Sequence, residues 1–514
     1  MDRRRALKAG IGFGGMALLS GRAPAVIAAE KSRPILTSGA MSGDVLADRA
    51  MIWSAADRPA RMVVEWSRDP GFARAQRREG PLATPDTALA ARLDLAGLPP
   101  GAEIHYRVAF HDPDNPRAIS DWSQGRLLLP GALPRPLRFV FSGDECGQGY
   151  GINPEFGGYR MYETMRRKKP DFFLHQGDQI YADGPLAETV KLADGGTWRN
   201  IVTPAKMKAA VSLEDFRGAF AYNLMDLNKR RFLAETPMLV AWDDHEVRNN
   251  WYPGKILPDG TPVDRLAAYA RRAMLEYNPM RIDANAPGVQ RAFSWGPLLD
   301  VFLLDARSKR GGNPAAMDAS PGAGMFGTAQ IDWLKGALAA SRATWKLIAS
   351  DIPLSLIVND YRSYTDPVVI GSEGLANGKP GAPGGREAEF AELLSFIKAR
   401  GIANTVWISA DVHHASAIHY HPDRAAFTDF TPFWEIVAGP LNAGSASIQD
   451  NKADPTFGPE IVFAAVPDRV KDNSPRAGLQ FFGMGEIDPQ SRALTLTIND
   501  INSRELWRKT LPAA

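Results

Sequence analysis

The chain has 514 residues and a single cysteine, Cys146. No disulfide can close within it, so its stability has to come from a packed core. It also lacks an excess of either charge: 60 Lys and Arg stand against 58 Asp and Glu, a formal net charge of +2. That excludes the electrostatic footprint of a nucleic-acid-binding surface. There is no internal repeat and, beyond the N-terminus, no apolar run long enough to span a membrane. What remains is ordinary globular composition, 45% hydrophobic and 23% charged, at a length that predicts two or more domains.

The N-terminus stands apart. "MDRRRALKAGIGFGGMALLSGRAPAVIAAEK" has a basic start, a weakly apolar stretch rich in Gly and Ala, and small residues before position 30. This is the layout of a cleavable export signal over 1–29. Arg3, Arg4 and Arg5 followed by Leu7 and Lys8 fit the twin-arginine type. The expected partner is the twin-arginine export machinery, and the expected location is periplasmic or secreted. That route moves folded proteins, often with a cofactor already loaded. Removing residues 1–29 takes away five basic residues and one acidic residue, and turns the net charge from +2 to −2.

Residues 33–133 read as a small all-β module. "RAMIWSAA", "ARMVVEWSRD", "AARLDLAGL" and "EIHYRVAF" are short alternating runs separated by Pro, Gly and Asp, the pattern of a sandwich. "LAGLPPGAEIHYRVAF" resembles the turn and strand of fibronectin type III-like domains, and "LLLPGALPRP" reads as a linker. From 137 to 514 apolar strands alternate with helical stretches at 157–168, 264–277, 328–341 and 386–400, which predicts layered α/β architecture. The segments 183–205, 252–262 and 360–386 read as loops over a site. "RALTLTINDINSRELWRKTL" reads as a hairpin closing a second sheet.

Almost every apolar strand of this second part ends in aspartate: Asp144 after "FVFSG", Asp178 after "FFLHQG", Asp243 and Asp244 after "MLVAW", Asp351 after "WKLIAS" and Asp411 after "VWISA". Ligands of α/β sheets gather at the carboxyl ends of strands, so these carboxylates should converge. Gathered without a cation they would repel one another and be driven toward protonation; bound metal ions remove that cost. The alternative, helix capping, accounts for a single Asp better than for the whole set. Of the eight histidines, His245 adjoins Asp244 and His413 follows Asp411 by two residues. His414 should point away by alternation, and His419 and His421 read as surface residues. Tyr181, three residues or one helical turn after Asp178, could reach the same ion; the alternative is an ordinary buried aromatic.

Taken in order, "GDEC", "GDQIY", "DDHE" and "ADVHH" resemble the calcineurin-like metallophosphoesterases. "HQGDQIYADGP", "WDDHEVRNNW", "VFLLDARSKR", "QIDWLKGALAASRATWKLIASDIPL" and "WISADVHHAS" bring the chain closest to the alkaline phosphatase D (PhoD-like) family. The resemblance implies a four-layer α/β/β/α sandwich preceded by a small all-β domain of fibronectin type III or immunoglobulin type. It implies Fe³⁺ with Ca²⁺, or with Mn²⁺, Mg²⁺ or Zn²⁺ in place of Ca²⁺. Asp144, Asp178, Tyr181 and His413 resemble the ferric half. Asp244, Asp351 and Asp411 would complete the second half with Asp178 as bridge. That half has oxygen ligands alone, which suits a hard ion. The related purple acid phosphatases have Asn and His at the matching positions, so the all-Asp set is a departure.

The activity implied is hydrolysis of phosphomonoesters, and of phosphodiesters as a second class, by a hydroxide generated between the cations. A phosphodiesterase or phospholipase D-like enzyme with the same site is the first alternative, and a non-catalytic exported metal-containing binding protein the second. His245 is placed to protonate the leaving group or to hold the phosphoryl oxygens; Asp243 or Glu246 either orients it or forms a helix N-terminus. Arg160, Arg199 and Arg307 are candidates for binding phosphate, each with a structural ion pair as the alternative. Some relatives end the first strand with a cysteine ligand in an "SC" pattern. Counting along "FVFSGD" puts Asp144 at that place, and leaves Cys146 a free thiol beside the centre.

Overall fold

The computed structural model describes residues 33–282, 286, 288–316, 324–363, 366–446, 452–467 and 473–514. The segment read as an export signal lies outside the described residues.

Two large sheets carry the molecule. One has nine strands, in the order Glu505–Leu511, Leu494–Asp500, Phe481–Ile487, Leu137–Ser142, Phe172–His175, Met238–Val240, Leu36–Leu46, Arg49–Ala56 and Ala90–Ala96. The other has seven, in the order Arg291–Ser294, Leu299–Leu303, Trp345–Ala349, Thr405–Ser409, Phe433–Val437, Ala415–Tyr420 and Pro459–Ala465. Alternation decides what each strand buries. Phe139 and Phe141 face a core shared with Leu303, Leu347 and Ile408 of the second sheet. Val140, between them, faces the helices Arg160–Arg167, Leu213–Asn223, Leu227–Glu235 and Val263–Tyr277. On the far side Phe302, Ile348 and Trp407 pack against the helices Thr328–Ala340 and Arg386–Ala399. The layers are therefore helix, sheet, sheet, helix, with the largest core between the sheets.

The strands that matter for chemistry run parallel. In the first sheet Phe172–His175 lies between Leu137–Ser142 and Met238–Val240, with Phe141 opposite Leu174 and Leu174 opposite Leu239. In the second, Leu299–Leu303, Trp345–Ala349 and Thr405–Ser409 are parallel neighbours. Their carboxyl ends all open on one edge of the sandwich.

The N-terminal module is all-β, but its strands divide. Ala60–Ser67, Gln76–Ala83, Glu103–His111 and Ser123–Leu128 make a four-stranded sheet, while Leu36–Leu46, Arg49–Ala56 and Ala90–Ala96 extend the nine-stranded sheet. The joint is Gly43 opposite Met238. A side chain at Gly43 would run into the Met238 carbonyl oxygen and Pro279, so the close approach requires glycine.

The C-terminal hairpin forms as the sequence predicts, but on the other sheet. Leu494–Asp500 and Glu505–Leu511 pair with each other and with Phe481–Ile487 at the edge of the nine-stranded sheet. Phe481–Ile487 is seated on Leu137–Ser142. There Gly483 and Gly485 leave room for the rings of Phe141 and Phe139. Two of the predicted loops contain short ribbons, Thr189–Lys191 with Thr197–Arg199 and Asn359–Ser363 with Asp366–Ser372.

Candidate metal centre

The strand-end residues do converge. Asp144, Asp178 and His413 offer ligand atoms within 4.8 Å of one another, as do Asp178, Asp244 and His245, and Asp243, Asp244 and Asp411. The groups overlap through Asp178 and Asp244, so they form one continuous cluster. Asp144, Asp178, Asp411 and His413 also have positive φ, at 60°, 54°, 67° and 56°. Side-chain-bearing residues rarely adopt that left-handed conformation, and it persists where surrounding structure imposes it, most often at functional sites. The chain turns sharply at the end of each strand, and each turn aims a donor into the same space.

The donors are held by hydrogen bonds behind them. His413 donates from Nδ1 to the Gly444 carbonyl oxygen at 2.6 Å, which leaves Nε2 facing the cluster, 3.6 Å from Asp144 Oδ1. Burial pushes the His413 imidazole down to about 4, so it stays neutral, as a metal ligand must be. The Tyr181 hydroxyl lies 2.7 Å from that Nε2. Tyr181 sits on a loop and not on a helical turn; its ring stacks on His245 at 4.3 Å.

Glu246 ties the two halves together. Its carboxylate accepts the backbone N–H groups of Asp178 at 3.1 Å, Gln179 at 2.6 Å and Asp243 at 2.8 Å. His245 has another partner: Nδ1 lies 2.7 Å from Asp183 Oδ1, and Asp183 also accepts the Asn249 N–H at 2.7 Å. Burial alone would raise Asp183; the charge and hydrogen bond of His245 outweigh it and hold the carboxyl below its usual range. Asp183 is thus the carboxylate beside the His245 ring, while Glu246 accepts backbone N–H groups and Asp243 pairs with Arg307. The sequence signal was the "GDQIYADG" run, whose second aspartate is five residues past the first.

Electrostatics and hydrogen bonding both point to cations. Burial, with Asp244 and Glu246 adding to it, pushes Asp144 up to about 8 against the pull of His245. Burial also pushes Asp178, Asp243 and Asp411 far above the carboxylate range. Both oxygens of Asp144, Oδ2 of Asp243 and Oδ1 of Asp244 are buried with no hydrogen-bond donor. Buried carboxylate oxygens without donors are costly, and hard cations would satisfy them.

Other expected residues stand elsewhere. Asp351 lies at the edge of the cluster, but its Oδ2 accepts from Arg307 Nε at 3.1 Å. Arg160 donates to Asn502 Oδ1 at 3.2 Å and covers the Phe156 ring; it does not join the carboxylates, because its helix packs on the outer face of the nine-stranded sheet. Arg199 pairs with Glu155 on the surface. Cys146 is a buried free thiol in the helix-side core, with burial pushing it up and Tyr159 as hydrogen-bond neighbour.

With this geometry in place, the sequence profile of the PhoD-like phosphatases matches residues 139–498, and that of their N-terminal domain matches 21–127. The chain belongs to the PhoD-like phosphatase family. Alkaline phosphatase D of Bacillus subtilis (strain 168) is 29% identical over 415 residues, a match covering 75% of this chain and 66% of that protein. The solved structure of PhoD superposes with a TM-score of 0.69 at 21% identity, covering 92% of each chain. A purple acid phosphatase from yellow lupin (Lupinus luteus) seeds superposes with a TM-score of 0.59 at 12% identity, over 94% of this chain and 75% of that one. These likenesses establish the metallophosphoesterase sandwich as the fold of this PhoD-like protein.

Proposed function

We propose that this PhoD-like protein is an exported, metal-dependent hydrolase of phosphate esters, acting on phosphomonoesters. The observation that carries the reading is the continuous Asp/His cluster with donor-less buried oxygens at the carboxyl ends of both sheets. The residues fit two kinds of cation. Asp144, Asp178, Tyr181 and His413 combine carboxylates, a phenol and one imidazole, a set suited to Fe³⁺. Asp178, Asp244 and Asp411 offer oxygen alone, a set suited to Ca²⁺. Bound there, such ions would neutralise the phosphoryl group and acidify a water for attack.

The chain's own residues supply the remainder. His245 stands at the mouth of the site: its side chain is 10% exposed and that of Asp183 is 14% exposed, while Asp144 and Asp178 are sealed. With Nδ1 directed to Asp183, the Nε2 atom is turned toward the cluster, 3.8 Å from Asp244 Oδ1. From there His245 donates a proton to the departing alkoxide. Asp183 fixes the ring and balances its positive charge. The His245 backbone N–H donates to Asp178 Oδ1 at 3.0 Å, which ties the proton donor to the shared carboxylate.

Export by the twin-arginine route, suggested by residues 1–29, would deliver the folded protein to the periplasm or medium. The test is elemental analysis of the purified protein with parallel assays on nitrophenyl phosphate and its bis-ester. Bound iron with a visible tyrosinate band and faster monoester cleavage are expected. A colourless, active, iron-free protein would remove the ferric assignment. A faster diester reaction would favour a phosphodiesterase, and a metal-loaded protein inert toward both would end the hydrolase reading.

A further inference from the structure

We infer that Arg307 is a built-in counter-cation of the acid cluster, and that Asp351 is its partner and not a metal ligand. Arg307 lies just past the strand Leu299–Leu303 and is wholly buried. Its guanidinium bridges the two sheets: Nε is 2.8 Å from Asp243 Oδ1 of the opposite sheet and 3.1 Å from Asp351 Oδ2 of its own. Nη2 also bonds Asp243 and lies 3.7 Å from Asp411 Oδ1, while Nη1 bonds Glu373. The arginine is fixed from behind, its backbone N–H donating to Asp305 Oδ1 at 3.0 Å; the same oxygen accepts from Trp242 Nε1 at 3.0 Å.

The hydrogen-bond ledger divides the acids into two sets. Asp144, Asp243 and Asp244 each have at least one buried oxygen without a donor. Asp351 has a donor near each oxygen, Ser350 Oγ at 3.4 Å from Oδ1 and Arg307 at Oδ2. Glu373 has Arg307 and Arg310 at one oxygen and Asn313 Nδ2 at 2.8 Å from the other. Asp243 straddles the boundary, with Oδ1 on Arg307 and Oδ2 free.

A guanidinium does not give up its proton in a protein, so Arg307 cannot yield its place by neutralising itself. A calcium ion sits about 2.4 Å from its carboxylate oxygens. On Asp351 Oδ2 it would stand within about 5.5 Å of Arg307 Nε and displace a hydrogen bond that the donor-less oxygens of Asp144 and Asp244 do not have to give up. The second cation is therefore expected on Asp178 and Asp244, with Asp351 behind the arginine and Asp411, whose Oδ1 is 3.7 Å from Arg307 Nη2, between the two.

The inference rests on the reading of the cluster as a metal centre. It is tested by metal content and calorimetric titration of the full chain and its Asp351→Asn and Asp244→Asn variants. For Asp351→Asn the metal-to-protein ratio should stay that of the parent, with affinity lowered less than about 10-fold, the lower end for changes behind a ligand. Asp244→Asn should lose an equivalent. Loss of an equivalent in Asp351→Asn would overturn the inference. Should that variant not fold, anomalous scattering from crystals of the metal-loaded parent decides directly: an ion bonded to the Asp351 carboxylate overturns it, and ions confined to Asp144, Asp178, Asp244, Asp411 and His413 support it. A parent chain that takes up no metal and hydrolyses neither ester would bring down the functional reading, and this inference with it. Hydrolysis with an ion on Asp351 would bring down the inference alone.

Discussion

Two sides of one acid cluster, a few ångströms apart, solve the same electrostatic problem in opposite ways. On the arginine side, Glu373 is fully buried, yet Arg307 and then Arg310 outweigh that burial and hold its carboxyl down at about 2. On the other side burial pushes Asp144 up to about 8, and both its oxygens lack donors. The chain carries its own counter-charge on one side and leaves it out on the side proposed to hold the cations. The side left uncompensated is also the side with left-handed backbone at Asp144, Asp178, Asp411 and His413. Strain and missing charge coincide, which is expected where structure is maintained for function.

The strongest break of this contrast is Asp178→Ala. Asp178 belongs to two of the ligand groups, so its loss should abolish metal uptake and bring turnover to background; elemental analysis and an ester assay read both. Next comes His245→Ala. Metal content should persist while kcat falls about 10²- to 10⁴-fold, the worth of a positioned general acid. The loss should be largest for alkyl phosphates, and undiminished activity on an alkyl phosphate would exclude the acid role. Asp183→Asn should cost less, about 10- to 100-fold, since the ring remains but loses its charged anchor. A displaced pH–rate profile in this variant separates positioning from a purely structural part.

The two sides should also respond oppositely to pH in metal-free protein. A carboxyl with a raised folded pKa stabilises the fold at low pH, and that contribution is lost as pH rises through the folded value. Asp144 therefore predicts falling stability from about pH 4 to about pH 8. Glu373 has a lowered value, so its contribution is full above about pH 4.5 and is lost as pH falls toward 2. Melting temperatures across pH should fall on both flanks without metal, and metal should restore the alkaline flank alone. An alkaline flank indifferent to metal would contradict the division.

Much of this was legible in the sequence because it depends on short-range pattern. Apolar strands followed at once by Asp mark the strand ends, and parallel pairing carries those ends to one edge. What escaped depends on partners far along the chain. Leu36–Leu46 joins the sheet of Met238–Val240, a pairing across most of two hundred positions that no local signal announces. Arg307 and Asp351 were each visible, but not that one would occupy the other. The helices Leu213–Asn223 and Leu227–Glu235 are a different case. Ser212 and Asp215 form a capping box and Asp226 caps the second helix, signals present in the sequence but passed over. Arg160 could not be decided from the sequence, because a basic residue near a motif says nothing of which face its helix presents.

The smallest expected effect probes the finest version of the contrast, two residues apart on one loop. Asp144 and Cys146 are both buried, and register alone had to choose between them. In the fold, Asp144 turns to His413 and the cluster, while Cys146 packs with the helix-side core near Tyr159. Burial pushes the thiol up and so disfavours the thiolate that would bind a metal. Cys146→Ala should therefore cost about 1 kcal/mol of stability, as an ordinary core change does, and leave metal content, colour and rate in place. Asp144→Ala should lose the first ion. Loss of the visible band in Cys146→Ala with its retention in Asp144→Ala would reverse the register and return the sulfur to the metal.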